Sequence, residues 1–133
     1  MAYLQNKAAG RASLPTTKQR GDAAEDAALE HLQAAGLGLV ARNYRTPGRG
    51  GGEIDLIMRD PRDGTLVFVE VRRRAGSAFG GAAGSVSAAK RRRIVFAAQH
   101  FLQDWPTLPP CRFDVVALDG AHIEWLQAAF DAF

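Results

Sequence analysis

Hydrophobic positions along the chain fall into two kinds of pattern. Ala24, Ala28, Leu32 and Ala35 recur at helical spacing, with Thr16 or Thr17 as a cap before them and Gly36 as a stop after them. Val86, Ile94, Ala97, Ala98 and Phe101 form a second such stripe, on a helix opened by Ser85 or Ser87 and running to about Asp104. Pro106, Pro109 and Pro110 then break it. The other apolar runs read as strands: Leu37 to Arg45, Gly52 to Arg59, Thr65 to Arg74, Arg112 to Leu118, and a short His122 to Leu126 after an Asp119-Gly120 turn. The order α-β-β-β-α-β-β predicts an α/β domain. Its core is a single mixed β-sheet of about five strands, flanked by helices on both sides or on one.

The third strand is apolar from Leu66 to Val71 except at Glu70. Such a run marks a strand covered on both faces, where a carboxylate is costly unless it meets a cation or a donor. The preceding Asp60-Pro61-Arg62-Asp63-Gly64 carries strong turn chemistry. A four-residue loop, Pro61 to Gly64, sets Asp60 opposite Thr65, Asp55 opposite Glu70 and Glu53 opposite Arg72. Opposed side chains lie about 4.5–5.5 Å apart at Cβ, and like charges there repel. Two facing carboxylates in an apolar hairpin therefore call for a divalent cation or a shared proton.

Length and charge narrow the picture. A chain of 133 residues fits one domain, here residues 16–133, behind a mobile tail over residues 1–15. No apolar run approaches the roughly 18 residues that span a membrane, and the N-terminus lacks a signal-peptide core, so a cytoplasmic location is expected. One cysteine, Cys111, excludes an intramolecular disulfide, and the three histidines are scattered. Net charge is only +3, but 7 of the 17 basic residues fall in two short runs, Arg72 to Arg74 and Lys90 to Arg93. Clustered arginines favour phosphate-rich partners, while a single run is as readily a solvated face.

Three further features bear on chemistry. Glu25 lies at the border of the first helix's buried stripe. Lys90 falls on the apolar stripe of the second helix and leans toward the sheet, while Arg91 and Arg92 point away from it. Gly48, Gly50, Gly51 and Gly52 make a flexible approach to the central hairpin; a strand follows them, with no Lys-Ser/Thr pair, so they are no phosphate-binding P-loop.

Taken together, Gly21-x-x-x-Glu25, Arg42-Asn43-Tyr44-Arg45, GEIDLI at 52–57, VFVEVRRR at 67–74, the Lys90 helix and RFDVVAL at 112–118 resemble the YraN family of small bacterial endonuclease-like proteins. That family is similar to the PD-(D/E)XK nucleases, and especially to archaeal Holliday-junction resolvases. The resemblance covers about residues 17 to 130. It implies a restriction-endonuclease-like fold and a site in which Asp55 and Glu70 hold Mg²⁺ or Mn²⁺ with the Val71 carbonyl. It also implies an assisting Glu25 and a site-facing Lys90. Arg72 stands where the superfamily usually has lysine, and arginine cannot give up a proton near neutral pH.

The leading expectation is a metal-dependent endonuclease acting on DNA, with branched DNA among its substrates. Arg72 would contact the scissile phosphate, with Arg73, Arg74, Arg91 and Arg92 on flanking phosphates. The alternative is a nucleic-acid-binding module of the same fold that has lost turnover, which the arginine at 72 favours. A structural domain with a proton-shared acid pair is the third reading. Resolvase-like relatives are dimers, and a homodimer is compatible with this chain.

Overall fold

Thr16 begins the first helix, α1 (Thr17–Ala34), with a reciprocal cap. Its hydroxyl accepts the Gln19 N–H at 3.1 Å, and the Gln19 side chain accepts the Thr16 N–H at 2.9 Å. Gly36, at φ 103°, ends the helix by turning the chain into β1 (Gly38–Arg45). The strands β2 (Glu53–Arg59) and β3 (Leu66–Arg73) follow, then α2 (Ala88–Leu102) capped by Ser87, then β4 (Cys111–Asp119) and β5 (His122–Phe130). The computed structural model describes residues 14–73 and 86–132. Residues 1–13, 74–85 and 133 lie outside the described residues.

The five strands form one sheet in the order β1-β2-β3-β4-β5. Only β3 and β4 are parallel, because α2 carries the chain across the sheet between them. α1 packs on one face through Ala24, Ala28 and Leu32, against Leu56, Met58, Val67, Val69, Val116 and Leu118. Ile94, Ala97 and Ala98 of α2 pack on the other, against Ile57, Leu66, Phe68, Phe113 and Val115. The helices thus take opposite faces, which explains why β2 and β3 read as almost wholly apolar. This is the α-β-β-β-α-β-β mixed-sheet architecture expected of a restriction-endonuclease-like fold. Among the described residues, no helix is long and apolar enough to cross a membrane.

The central hairpin has the expected register. Arg59 pairs with Leu66, Met58 with Val67, Ile57 with Phe68 and Leu56 with Val69. Below these pairs, Asp60 N–H donates to the Thr65 carbonyl at 2.9 Å and Gly64 N–H to the Asp60 carbonyl at 2.8 Å. The Asp60 carboxylate holds the loop from inside, accepting two bonds from the Arg62 side chain at 3.0 and 2.7 Å and a third from the Arg62 N–H. Those bonds pull its pKa down to about 2.

One expectation is corrected. β5 is not a short His122 to Leu126 strand; it continues to Phe130 through a bulge at Ala128, which adopts φ 51°. The anchor is Asp114 on β4, fully buried, whose carboxylate accepts from Ala128 N–H at 2.9 Å, Trp125 Nε1 at 2.9 Å and Arg112 Nε at 3.1 Å. At the neck of the glycine-rich approach to β2, Thr46 N–H donates to the Gly52 carbonyl at 3.0 Å and Gly52 N–H to Thr46 Oγ1 at 2.7 Å. A Cβ on Gly52 would meet the Arg93 carbonyl oxygen at 2.0 Å, so glycine here lets α2 lie close on the sheet.

Candidate active site

The ladder between β2 and β3 ends at Leu56 and Val69, and the acidic residues begin where it ends. Past that point Asp55 does not face Glu70 within a regular pair. Its Oδ2 accepts the backbone N–H of Val71 at 2.8 Å instead, filling the gap left by the parting strands. Side-chain alternation also slips here. Ile54 and Ile57, three residues apart, both belong to the α2-side core, while Leu56 between them faces α1. On the neighbouring strand, Asn43 lies between the pairs Arg42–Leu56 and Tyr44–Ile54 and adopts φ 53°. Asparagine tolerates this left-handed conformation better than most residues. Asp55 stands beside Val71 and Glu70, where β2 and β3 part.

Glu70 comes from β3 and is only 4% exposed. Its Oε2 meets two cations, Arg72 at 3.6 Å and Lys90 of α2 at 3.8 Å. Its Oε1 is buried with no hydrogen-bond partner. Asp55 lies close enough for its charge to act on Glu70. Burial, and then the Asp55 charge, push the Glu70 carboxyl up to about 8, with Lys90 and Arg72 pulling the other way. Burial also raises Asp55, against the Val71 N–H, which holds it down.

Glu25 approaches Asp55 from α1. Its carboxyl is raised by burial first and by the Asp55 charge second. Arg42 of β1 ties it in place, with Nε 3.4 Å from Glu25 Oε1 and the other end of the guanidinium on Asp26. Four candidates named from sequence, Glu25, Asp55, Glu70 and Lys90, are therefore brought together from four elements and both faces, with Arg72 beside them. Arg91 and Arg92 lie on the outer face of α2. Arg91 donates to the Val86 carbonyl at 3.1 Å and sits 5.8 Å from the centre of the Phe130 ring. Sequence reasoning singled out neither Arg42 nor Asn43 as a site residue; the signal was an asparagine amid charged residues in an edge strand.

An orphaned buried carboxylate oxygen beside a second carboxylate suits a hard cation with oxygen ligands. Among the described residues, no three of histidine, cysteine, aspartate and glutamate stand close enough to hold a metal by themselves. The donor set therefore suits an ion that uses one or two carboxylates and keeps water or phosphate oxygens, as Mg²⁺ does.

An α/β chain with an acidic pair where two central strands part, flanked by lysine and arginine, is the class that fold and site define. The chain belongs to the family described as Uncharacterised protein family UPF0102, whose family model matches residues 24–118. That span includes every site residue above. It is 67% identical over 135 residues to a UPF0102 protein of Paracidovorax citrulli (strain AAC00-1), covering 99% of each chain. It is 64% identical over 132 residues to a UPF0102 protein of Acidovorax sp. (strain JS42), again covering 99% of each.

Proposed function

We propose that this protein is a divalent-cation-dependent endonuclease that hydrolyses phosphodiester bonds in DNA, branched DNA included. The observation that carries the reading is Glu70, a buried acid with one oxygen between two cations and the other without a partner, beside Asp55. A Mg²⁺ or Mn²⁺ ion held by Asp55, Glu70 and the Val71 carbonyl would supply the Lewis acid that offsets charge on the phosphate.

The chain's own groups have separate tasks. Arg72, two residues along β3 from Glu70 and half-exposed, presents a fixed positive charge and a planar fork to the phosphate oxygens. Lys90 places a second donor on the α2 side. Glu25, held by Arg42, offers a carboxylate beside Asp55 that can take up a proton from an attacking water. Exposed arginines on α2 and at the end of β3 give the duplex phosphates a positive surface and position it without reading sequence.

One observation favours a second reading. With Arg72 in the usual lysine position, no lysine shares the strand face of Glu70, and the same surface would serve a binding module without turnover. The test is cleavage of labelled linear, nicked and four-way-junction DNA with Mg²⁺ or Mn²⁺, with Glu70→Ala as the control. Metal-dependent cuts absent from the control support the enzyme. DNA binding with no cuts by native protein, under either metal, supports the module.

A further inference from the structure

Arg72 and Arg73 are successive residues of β3, so their side chains leave opposite faces of the strand. Arg72 meets Glu70. Arg73 goes to the α1 side, where it lines a groove of about 350 Å³ with Arg20, Ala23, Ala24, Ala27, Leu118 and Gly120. The groove lies at the same end of the sheet as the acidic pair. Arg73 pairs with Leu118 on the parallel neighbour β4, and the β4–β5 turn at Gly120 closes that end.

The two arginines here differ from the ion-paired ones. Arg42, Arg62, Arg72 and Arg112 each meet a carboxylate. Among the described residues, neither the Arg20 nor the Arg73 guanidinium has one, and no acidic residue lines the groove. Arg20 also stands in the first turn of α1, the positive end of its dipole. Between the two cations the floor is small and apolar, made of alanines and a leucine. Free guanidinium groups above an uncharged floor suit an anionic group carried on an apolar frame, as a phosphate is carried on deoxyribose.

We propose that this groove is a second phosphate subsite, in which Arg20 and Arg73 clamp a backbone phosphate of the DNA strand flanking the one engaged beside Glu70. The subsite rests on the nucleic-acid reading above and adds to it a residue, Arg20, and a direction. The bound strand runs round the end of β3 from the α2 layer to the α1 layer.

The test is equilibrium binding in EDTA, so that no cleavage intervenes, by fluorescence anisotropy with duplex and junction DNA at several salt concentrations. Native protein is compared with Arg20→Gln, Arg20→Lys and Arg73→Gln. Each linkage near the junction is replaced in turn by an uncharged methylphosphonate. Losing one phosphate contact should lower the slope of log K against log salt by about 0.9, so both glutamine variants should show that drop while Arg20→Lys keeps the native slope. One methylphosphonate position that weakens native binding should have no further effect in Arg20→Gln. If native protein binds DNA while Arg20→Gln retains the native slope and the native response at every linkage, the subsite is refuted and the nuclease reading stands. If Arg20→Gln weakens binding but every linkage keeps its effect, Arg20 contributes only to the general field and the subsite is again refuted. If native protein binds no DNA, the nucleic-acid reading itself falls and the groove's assignment with it.

Discussion

Lys90 Nζ stands 3.8 Å from Oε2 of Glu70, joining the middle layer of the molecule to α2 at the point where β2 and β3 part. Arg72 reaches the same oxygen from the strand itself. Both cations therefore neutralise one side of the carboxylate and leave Oε1 to a proton or a metal. This asymmetry sets the behaviour of the site in solution.

Stability of the metal-free protein should fall as pH rises. Glu70 titrates near 8 in the fold and near 4.5 in the unfolded chain, so between those values the folded state binds more protons. The stabilisation is fully present below about pH 4.5 and is lost as pH rises toward 8; Asp55, also raised, acts in the same sense. The loss from pH 5 to 8 should be on the order of a few kcal/mol. Urea unfolding in EDTA measures it. Glu70→Gln should flatten the profile, and Glu70→Ala and Asp55→Ala should be as stable as native protein at pH 8 or more so. A native-like slope in Glu70→Gln would place the titration elsewhere.

Removing Asp114 should damage the fold. Its buried carboxylate takes donors from a side chain, an indole and the bulged backbone, and Asp114→Ala leaves all three without that acceptor. Breaking a buried charge pair from one side typically costs about 3–5 kcal/mol. Chemical denaturation at neutral pH should show a loss of that order, whereas a loss under about 1 kcal/mol would mean water replaces the carboxylate. Ala128→Gly should act oppositely, gaining about 1 kcal/mol by relieving the left-handed backbone.

For Arg72 the expected order of cleavage rates is Arg72→Lys above native above Arg72→Ala. A lysine is a compact donor that can orient and activate water, while arginine only donates. Loss of one transition-state donor costs on the order of 10²–10³ in rate, which single-turnover measurements with Mn²⁺ resolve. Equal rates for native protein and Arg72→Ala would remove Arg72 from the chemistry.

Much of this was legible in the sequence where local chemistry decides the outcome. The turn from Asp60 to Gly64 fixes the hairpin register, and Thr16, Gly36 and Ser87 punctuate the helices. The position of Lys90 on an apolar stripe correctly placed its amine toward the sheet. Less accessible was whatever depends on a break in regularity. Extending the ladder past Leu56 makes Asp55 a simple partner of Glu70, but the strands part there and Asp55 bonds the backbone of Val71. The left-handed Ala128 reflects a tertiary demand, the bulge that Asp114 holds. For the same reason β5 looks shorter in sequence than it is. Arg42 reads as one more surface charge until α1 brings Glu25 to it.

The central claim is that Asp55 and Glu70 hold a divalent cation between them in the working protein. Titration of Mn²⁺ into native protein at pH 8, followed by the loss of the free-ion paramagnetic resonance signal, tests it most directly. One Mn²⁺ should bind per chain, displaceable by Mg²⁺, and binding should weaken as pH falls below the Glu70 pKa of about 8 because protons compete for the same oxygens. Asp55→Asn and Glu70→Gln, folded by circular dichroism, should each lose it. Native protein that binds no Mn²⁺ with or without duplex DNA, or variants that bind it as tightly as native, would show that the pair shares only a proton.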